Sequence, residues 1–477
     1  MPYDVVIIGA GIIGTILARD LSRYHLKVAV LEKENDIADG ATMANSAIVH
    51  TGYDPEEGTM KARMNVEGAR MYAQLCQDLG CLYKPIGAYI AAVDEEEERT
   101  LEVLASRAEA RHIPYAWLSG EQARKEEPNL SDAVTKVLSF PTTAIIYPWE
   151  VAIACMEVAV SNGVKLHLNS KVTKIERNDT KFTIHCTDKA IYEAKTIVNA
   201  AGVYADTIAR MVCDHPDFSM KPKRGEYFVI DHSLHVTNHI IFPTPGKKGK
   251  GVLAVPTVYG NTLFGPSSEV VEDKDDMGNS TKGMEYVRSK IMRTLRWAPL
   301  SSSIRNFSGL RPSSTSADFI IKEQEGVPGF IHCASIESPG LASAPAIAAY
   351  VRTQLLAPYL SYVENREAVM TRKRPLTMNE LSEEEKAKAI RQNPMYGKII
   401  CRCEEISEGE IRDCIRRPCG ATTVKGVKKR VRPGMGRCQG GFCEPKVVSI
   451  LADELQCSPL DIVLDGPRSY LLKRENR

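Results

Sequence analysis

The 477-residue chain lacks the features that would mark several classes of protein. No apolar run approaches the roughly 18 residues needed to span a bilayer, so the sequence excludes a transmembrane enzyme. With 61 Lys and Arg against 60 Asp and Glu, the net charge is +1. This balance gives no general attraction to nucleic acid or to an anionic membrane. The chain starts with a strand-like run, residues 4–8, rather than a basic stretch and a cleavage site. We therefore expect no secretory signal.

Disulfide pairing is not expected either. The 13 cysteines are an odd number in a long chain, which argues against a secreted disulfide scaffold and favours a reducing cytosol with some thiols reserved for a metal. The length predicts two or three domains, each able to bury a core.

A glycine-rich turn lies inside a predicted βαβ unit at the start of the chain. The apolar strand 4–8 is followed by Gly9, Gly11 and Gly14 and then by a helical pattern. Gly9 permits the tight turn, Gly11 lets a pyrophosphate approach, and Gly14 lets the helix pack on the strand. Glu32 ends the next strand and can accept hydrogen bonds from a ribose diol. A chance glycine pattern would not be flanked in this way, so we expect a dinucleotide site.

Four ordered segments resemble FAD enzymes of the D-amino acid oxidase superfamily. They are residues 31–33 with 40–46, 197–202, 309–312 and 337–341. The resemblance implies a Rossmann-type FAD-binding domain, with the last segment opening a helix near the flavin. It implies cofactor contacts from Gly9, Gly11, Ile13, Gly14, Glu32, Lys33, Thr42, Asn45, Ser46, Val172, Ala201, Gly202, Gly340 and Leu341.

Residues 45–53 and 58–63 resemble the glycerol-3-phosphate dehydrogenase/oxidase and L-2-hydroxyglutarate oxidase branches of that superfamily. The resemblance implies that His50 is the base that removes a hydroxyl proton, a task that suits a histidine pKa. The alternative is a structural histidine in a buried loop. Arg311 would hold the substrate's anionic group with its planar guanidinium, the alternative being an arginine that bridges two loops.

Two further residues align with substrate contacts of the glycerol-3-phosphate branch. These are Lys250 and Ser338. Lys250 lies in a lysine-rich stretch that is equally consistent with a solvated loop. Residues 224–228 resemble the segment that lines the substrate cavity in that branch, or form only the first strand of a sheet.

Four cysteines near the C-terminus predict a metal site. Cys401 and Cys403 form a C-x-C pair, and Cys438 and Cys443 a C-x4-C pair. Two pairs of thiolates can bind a 2Fe–2S cluster or a tetrahedral zinc. The arrangement resembles the bacterioferritin-associated-ferredoxin-like domain of anaerobic glycerol-3-phosphate dehydrogenases, which favours the cluster, although the ferredoxin itself has a shorter second pair.

The segment between the cysteine pairs is rich in Lys and Arg, from residue 412 to 432. It lacks the interleaved aromatic residues of a nucleic-acid site. We therefore expect a solvated face or a docking patch for an acidic electron-transfer partner, and no nucleic acid.

Together these features predict an α/β chain, α+β overall, with three domains and one linker. The expected divisions are an FAD-binding domain (1–85, 150–210 and 330–365), a mixed antiparallel-sheet substrate domain (86–149 and 211–329), a linker (366–395) and a small helical cysteine-cluster domain (396–460). We expect residues 164–176 to form a hairpin-type pair of strands.

The predicted activity is oxidation of a small anionic secondary alcohol by hydride transfer to FAD, with electrons leaving through a 2Fe–2S cluster. Glycerol 3-phosphate is favoured over L-2-hydroxyglutarate or another 2-hydroxy acid, because the catalytic half and the cluster domain occur together. The alternatives are an oxidase and a non-catalytic FAD and iron–sulfur electron-transfer subunit. The electron acceptor would be a protein subunit or a quinone-linked membrane partner. The expected location is cytoplasmic, or peripheral at the inner face of the membrane through that partner.

Overall fold

The computed structural model describes residues 2–178, 181–246 and 251–474. Its helices are α1 (Ile12–Leu21), α2 (Met60–Leu79), α3 (Glu95–Ala110), α4 (Gly120–Glu126), α5 (Pro148–Ser161), α6 (Ala205–Ala209), α7 (Thr281–Ile291), α8 (Gly340–Tyr350), α9 (Glu383–Gln392), α10 (Glu408–Arg416), α11 (Val424–Val431) and α12 (Glu444–Leu455). Lys250, which the resemblance implied as a substrate contact, lies outside the described residues.

The strands fall into two large sheets and two small ones. They are β1 (Tyr3–Ile8), β2 (Val28–Leu31), β3 (Ile48–Val49), β4 (Tyr83–Lys84), β5 (Ala88–Ala92), β6 (Ala116–Ser119), β7 (Lys136–Phe140), β8 (Ala144–Ile146), β9 (Lys165–His167), β10 (Val172–Arg177), β11 (Phe182–Cys186), β12 (Ile191–Asn199), β13 (Lys223–Ile230), β14 (Ile240–Pro243), β15 (Leu253–Pro256), β16 (Thr262–Gly265), β17 (Glu269–Val270), β18 (Ser303–Arg311), β19 (Ile320–Glu323), β20 (Phe330–Ala334), β21 (Ile399–Cys401) and β22 (Ile406–Ser407).

The first large sheet is built around β1. It runs in the order β10-β11-β12-β1-β2-β9, with β20 beside the end of β12 and β19 beside β20. β1 is parallel to both β2 and β12, and α1, α5 and α8 pack together over its apolar face. The βαβ unit predicted at the start of the chain is therefore confirmed. The hairpin-type pair predicted at residues 164–176 is wrong, because β9 pairs in parallel with β2 whereas β10 pairs with β11.

The second large sheet is mixed, as predicted. Its order is β17-β13-β16-β15-β14-β5-β7-β6, with β18 also paired to β13. The pairs are antiparallel except for β14 with β5. A small sheet has the order β3-β8-β4. Its strands contribute side chains to the cores of both large sheets. β3 leads directly to His50, and β8 leads to Tyr147.

The C-terminal part is a small helical domain. β21 and β22 form a short hairpin, and α10, α11 and α12 enclose an apolar core of their own. The segment expected as a linker carries one charged helix, α9. It is also held against the first half, where Arg372 forms an ion pair of 2.7 Å with the buried Glu157. The domain limits given above stay a prediction. In the described residues, no helix combines the length and apolarity needed to cross a bilayer.

Candidate functional site

The glycine turn after β1 is shaped by contacts that only glycine permits. Gly9 has a φ of 109°, and a Cβ there would lie 2.5 Å from the carbonyl oxygen of Ala200. A Cβ on Gly14 would lie 2.0 Å from the carbonyl oxygen of Gly9. Gly11 precedes α1. The amide of Ile12, the first residue of that helix, has no acceptor within the helix and donates to Thr42 Oγ1 at 2.9 Å. The turn therefore presents backbone amides and the positive end of a helix to the cavity beside it.

Glu32 is tied to this turn. One carboxylate oxygen accepts the amide of Ala10 at 2.7 Å, and the other accepts the amide of Glu34 at 2.9 Å. Burial raises the pKa of Glu32, while both amides oppose that rise. Because each carboxylate oxygen has two lone pairs, each keeps one acceptor site for a ribose hydroxyl.

A cavity of about 570 Å³ opens over the turn, within the usual range for small-molecule sites. Most of the residues implied by the resemblance line it: Gly9, Gly11, Ile13, Glu32, Lys33, Thr42, Asn45, Ser46, His50, Val172, Ala201, Gly202, Arg311, Ser338, Gly340 and Leu341. Gly14 lies beneath the turn and does not line the cavity. The room above Gly9 and Gly11, the amides of α1 and the acceptor sites of Glu32 together fit an FAD molecule.

His50 lines the same cavity, directly after β3. Its backbone carbonyl accepts the side-chain amide of Asn65 at 2.6 Å, and its ring lies 5.7 Å from that of Phe242, measured between ring centres. The side chain is buried. Nearby Tyr53 stacks on Phe140 away from the cavity. His50 therefore occupies a fixed position on the cavity wall.

Arg311 ends β18 and lines the same cavity. Its Nη2 donates to the Ser267 carbonyl at 2.9 Å, and its Nη1 donates to Ser268 Oγ at 3.3 Å. Across residues 2–178, 181–246 and 251–474, no carboxylate forms an ion pair with it. A guanidinium has five N–H donors, so after these two bonds three remain for an anion. The contacts with Ser267 and Ser268 fix its orientation.

Sequence reasoning missed Lys223 on the cavity wall, whereas Tyr227 lies in the segment 224–228 whose resemblance implied a cavity lining. Lys223 lies opposite Arg311 in the pairing of β13 with β18, and its Nζ is 4.0 Å from Glu337. Tyr227 shares the face of β13 with Lys223, and its hydroxyl lies 3.0 Å from Ser46 Oγ. Arg224, the residue after Lys223, points to the other face of the strand, where it forms ion pairs with Glu269 and Asp276. The sequence shows the period-two alternation of this strand, but it does not show which of the two faces lines the cavity.

Glu337 binds Lys61 through a 2.8 Å ion pair and also binds the Ser313 hydroxyl. Burial would raise the pKa of Glu337, but Lys61 and these neighbours outweigh it and lower it. This carboxylate therefore stays ionised beside the cavity.

The four predicted metal ligands come together, but not in the pairs that their spacing suggests. Cys403 Sγ and Cys438 Sγ lie 3.7 Å apart. Cys401 and Cys443 form the other pair, and the hydrogen bond from Cys443 lowers the pKa of Cys401 to about 6. Each pair therefore takes one cysteine from each motif.

The 3.7 Å separation suits two thiolates on one tetrahedral metal at about 2.3 Å. In the described part of the chain, no three metal-ligating side chains converge on one point. Two separate pairs fit a cluster with two irons better than a single zinc. Cys414 and Cys419 are not part of this group. Burial raises the pKa of both to about 12, as expected of thiols packed inside the domain.

The prediction of a solvated basic face between the cysteine pairs is wrong. Arg412 and Arg416 bind Glu454 within the domain. Lys429 and Arg430 of α11 are 2% and 1% exposed and bind carboxylates that follow β2. Most of the positive charge is therefore neutralised inside the protein, and little of it is left for a partner.

Comparison with known proteins agrees with both sites. Residues 4–353 match the family model of FAD dependent oxidoreductases, and residues 399–453 match that of the BFD-like [2Fe-2S] binding domain. The chain is 43% identical over 473 residues to a glycerol 3-phosphate dehydrogenase of Caloramator mitchellensis, covering 98% of each chain. It is 32% identical to a glycerol 3-phosphate oxidase of Mycoplasma pneumoniae, covering 72% of this chain and 92% of the relative.

A solved structure has the same fold over the first two parts of the chain. It is dithionite-reduced L-alpha-glycerophosphate oxidase from Mycoplasma pneumoniae with FAD bound. The TM-score is 0.74 at 29% identity, and the match covers 78% of this chain and 98% of that one.

Proposed function

The chain belongs to the family of FAD-dependent oxidoreductases and carries a 2Fe–2S-binding domain, and from this premise we propose that it is a glycerol-3-phosphate dehydrogenase. The observation that carries the proposal is the single cavity that joins the FAD turn to His50 and Arg311. The relative that is 43% identical along the whole chain supports the same substrate.

The substrate would be oriented by its anion. The three N–H donors that Arg311 keeps can bind phosphate oxygens as charge-assisted hydrogen bonds, and Lys223 adds a second positive charge on the neighbouring strand. With the phosphate held at one point, the secondary hydroxyl is brought toward His50 on the cavity wall. Ser338 lines the same cavity and can hydrogen-bond the substrate.

His50 would accept the hydroxyl proton at its imidazole. A neutral imidazole is a base suited to neutral pH, and burial of the ring keeps bulk water away from the proton transfer. FAD, when bound, supplies the acceptor for the hydride that leaves the substrate carbon.

The cysteine site would provide the electron outlet. The 2Fe–2S cluster, when bound by Cys401, Cys403, Cys438 and Cys443, supplies a one-electron carrier. Cys403 is exposed, and Phe442, in the loop between Cys438 and Cys443, is 84% exposed. We propose that an electron-accepting protein, or a quinone-linked membrane partner, docks over this edge. A cytoplasmic location stays a prediction.

Anaerobic mixing of the holoenzyme with a panel of substrates tests the proposal. Glycerol 3-phosphate should bleach the flavin faster than L-2-hydroxyglutarate, and glycerol, which lacks the anion, should be slowest. Faster bleaching by L-2-hydroxyglutarate would establish a 2-hydroxy acid dehydrogenase instead. If no compound bleaches the flavin, the non-catalytic electron-transfer subunit becomes the better reading.

The role of Arg311 has its own control. Arg311→Ala should abolish most of the preference for glycerol 3-phosphate over glycerol while FAD content stays constant. An unchanged preference would place the anion elsewhere in the cavity.

A further inference from the structure

The segment after β2 forms one wall of the FAD cavity. We define residues 33–45 as the FAD loop, because Lys33, Asp39, Thr42 and Asn45 in it line that cavity. The loop also reaches the glycine turn through Thr42, whose hydroxyl accepts the amide of Ile12. Its position therefore affects both the cavity wall and the start of α1.

The loop is bent in a way that needs support. Ala38 has a φ of 64°, in the left-handed region that residues with a side chain rarely adopt. Its amide donates to the carbonyl of Ala10 in the glycine turn at 3.1 Å. Such a conformation persists only where the surroundings hold it.

α11 of the cysteine domain supplies that support from the outer side. Lys429 Nζ lies 2.7 Å from the carbonyl oxygen of Ile37 and 2.8 Å from carboxylate oxygens of both Asp36 and Asp39. Arg430 binds both oxygens of Asp36, at 2.8 and 2.9 Å. The two basic side chains thus hold the residues immediately before and after Ala38.

These contacts are shielded from water. Lys429 and Arg430 are 2% and 1% exposed, and Asp36 is 8% exposed. Arg430 and Lys429 together keep the pKa of Asp36 well below its usual range, although burial would raise it. A charge left unpaired at such a site is strongly unfavourable, so the loop and α11 are expected to keep their positions only together.

α11 is itself fixed with respect to the FAD half and the cysteines. Trp149, in α5, donates its indole N–H to the carbonyl of Lys429 at 3.1 Å. Directly after α11, Arg432 binds the Tyr147 hydroxyl at 2.9 Å and Glu404 at 2.8 Å. Glu404 directly follows Cys403, so the same helix connects the FAD loop with the cysteine site.

We propose that Lys429 and Arg430 are positioning residues of the FAD site, so that the protein binds FAD tightly only when the cysteine domain is docked on the FAD loop. The proposal rests on FAD binding and is independent of which alcohol is oxidised. Coupling of this kind is reciprocal, so FAD must in turn stabilise the docked α11.

FAD titration of the full-length, FAD-depleted protein tests the positioning role. Lys429→Met and Arg430→Met should each weaken FAD binding by on the order of 10- to 100-fold, the range of typical coupling between sites. Asp231→Asn is the matched control, because it removes a different ion pair to the cysteine domain, with Arg437, away from the FAD loop. It should change FAD affinity less than twofold. Circular dichroism and iron content establish that each variant is folded.

Unchanged FAD affinity in folded Lys429→Met and Arg430→Met would overturn the proposal. An equal loss in Asp231→Asn would also overturn it, because docking in general would then matter and not the two basic residues.

A measurement on the unmodified protein avoids variants that fail to fold. Adding FAD to the FAD-depleted protein should slow hydrogen exchange in residues 424–431 by several-fold, although these residues do not line the cavity. Peptides of α3, on the other large sheet, serve as the internal reference. No change in 424–431 while residues 9–14 become protected would refute the coupling. Activity with any alcohol plays no part in either readout, so failure here is distinct from failure of the proposed function.

Discussion

Gly225→Ala should weaken the enzyme mainly by displacing the guanidinium of Arg311. Gly225 lies on β13, opposite Gly309 of β18, and a Cβ on it would lie 2.6 Å from Nη2 of Arg311. Ordinary contact between such atoms begins near 3.5 Å, so the guanidinium must retreat by about 1 Å. A misplacement of that size can reduce the rate about 100-fold. We expect kcat/KM for glycerol 3-phosphate to fall by about 10- to 100-fold, which corresponds to about 1.4–2.7 kcal/mol of transition-state binding.

The assay is a double-mutant cycle with Arg311→Ala. Once the guanidinium is absent, the new methyl group of Gly225→Ala has no Arg311 to displace, so it should cause little further loss in that background. FAD content, read from the visible spectrum, should stay constant in all variants. The Cβ would also lie 2.9 Å from Pro266. An equal loss from Gly225→Ala in both backgrounds would therefore show that the damage passes through the strand or Pro266, and would refute the reasoning.

Three other predictions concern the base, the cluster and pH. His50→Ala should slow substrate reduction of the flavin by about 10²–10⁴-fold with FAD retained; stopped-flow rates equal to wild type would move the base elsewhere. Cys438→Ser should lose its iron and its turnover with a protein acceptor. Substrate should still bleach the flavin, and a small dye should be reduced as before. Unchanged turnover with the acceptor in protein without iron would show that the cluster does not carry the electrons. Burial lowers the pKa of His332 from 6.5 to about 4. Its contribution to stability is thus present above pH 6.5 and should fall by about 2 kcal/mol by pH 5. In His332→Gln, the free energy of unfolding measured with urea should change less between pH 7 and pH 5 than in the wild type. An equally large change in the variant would assign the pH dependence to other groups.

The local signals of the sequence predicted the FAD side well. The spacing of Gly9, Gly11 and Gly14 has a direct steric cause, since Cβ atoms at the first and last would collide with backbone oxygens. Such requirements act within a few residues and can be read without the fold. The buried β1 and β2 and the acidic end at Glu32 follow from the same local pattern.

The substrate side depends on strand register, which the sequence does not show. Lys223 and Tyr227 reach the cavity because β13 pairs with β18 in a register that places Lys223 beside Arg311. A shift of one residue would instead present Arg224. The alternation along residues 223–230 is equally compatible with both faces, and only the long-range pairing selects one.

The prediction of a solvated basic face at residues 412–432 was wrong for a related reason. A run of Lys and Arg predicts a solvated face when its partners are unknown, and the partners of Lys429 and Arg430 lie almost 400 residues earlier, in the FAD loop. Balanced overall charge was the available sign that such internal pairing existed. It could not tell which carboxylates were involved.

The cross-pairing of the cysteines gives this internal docking a consequence for assembly. Cys403 faces Cys438 and Cys401 faces Cys443, so a metal at either pair joins two segments that are separated by α10 and α11. Binding of a metal by thiolates in such a domain is folding free energy for that domain. The same free energy therefore acts on the position of α11, and through Lys429 and Arg430 on the FAD loop.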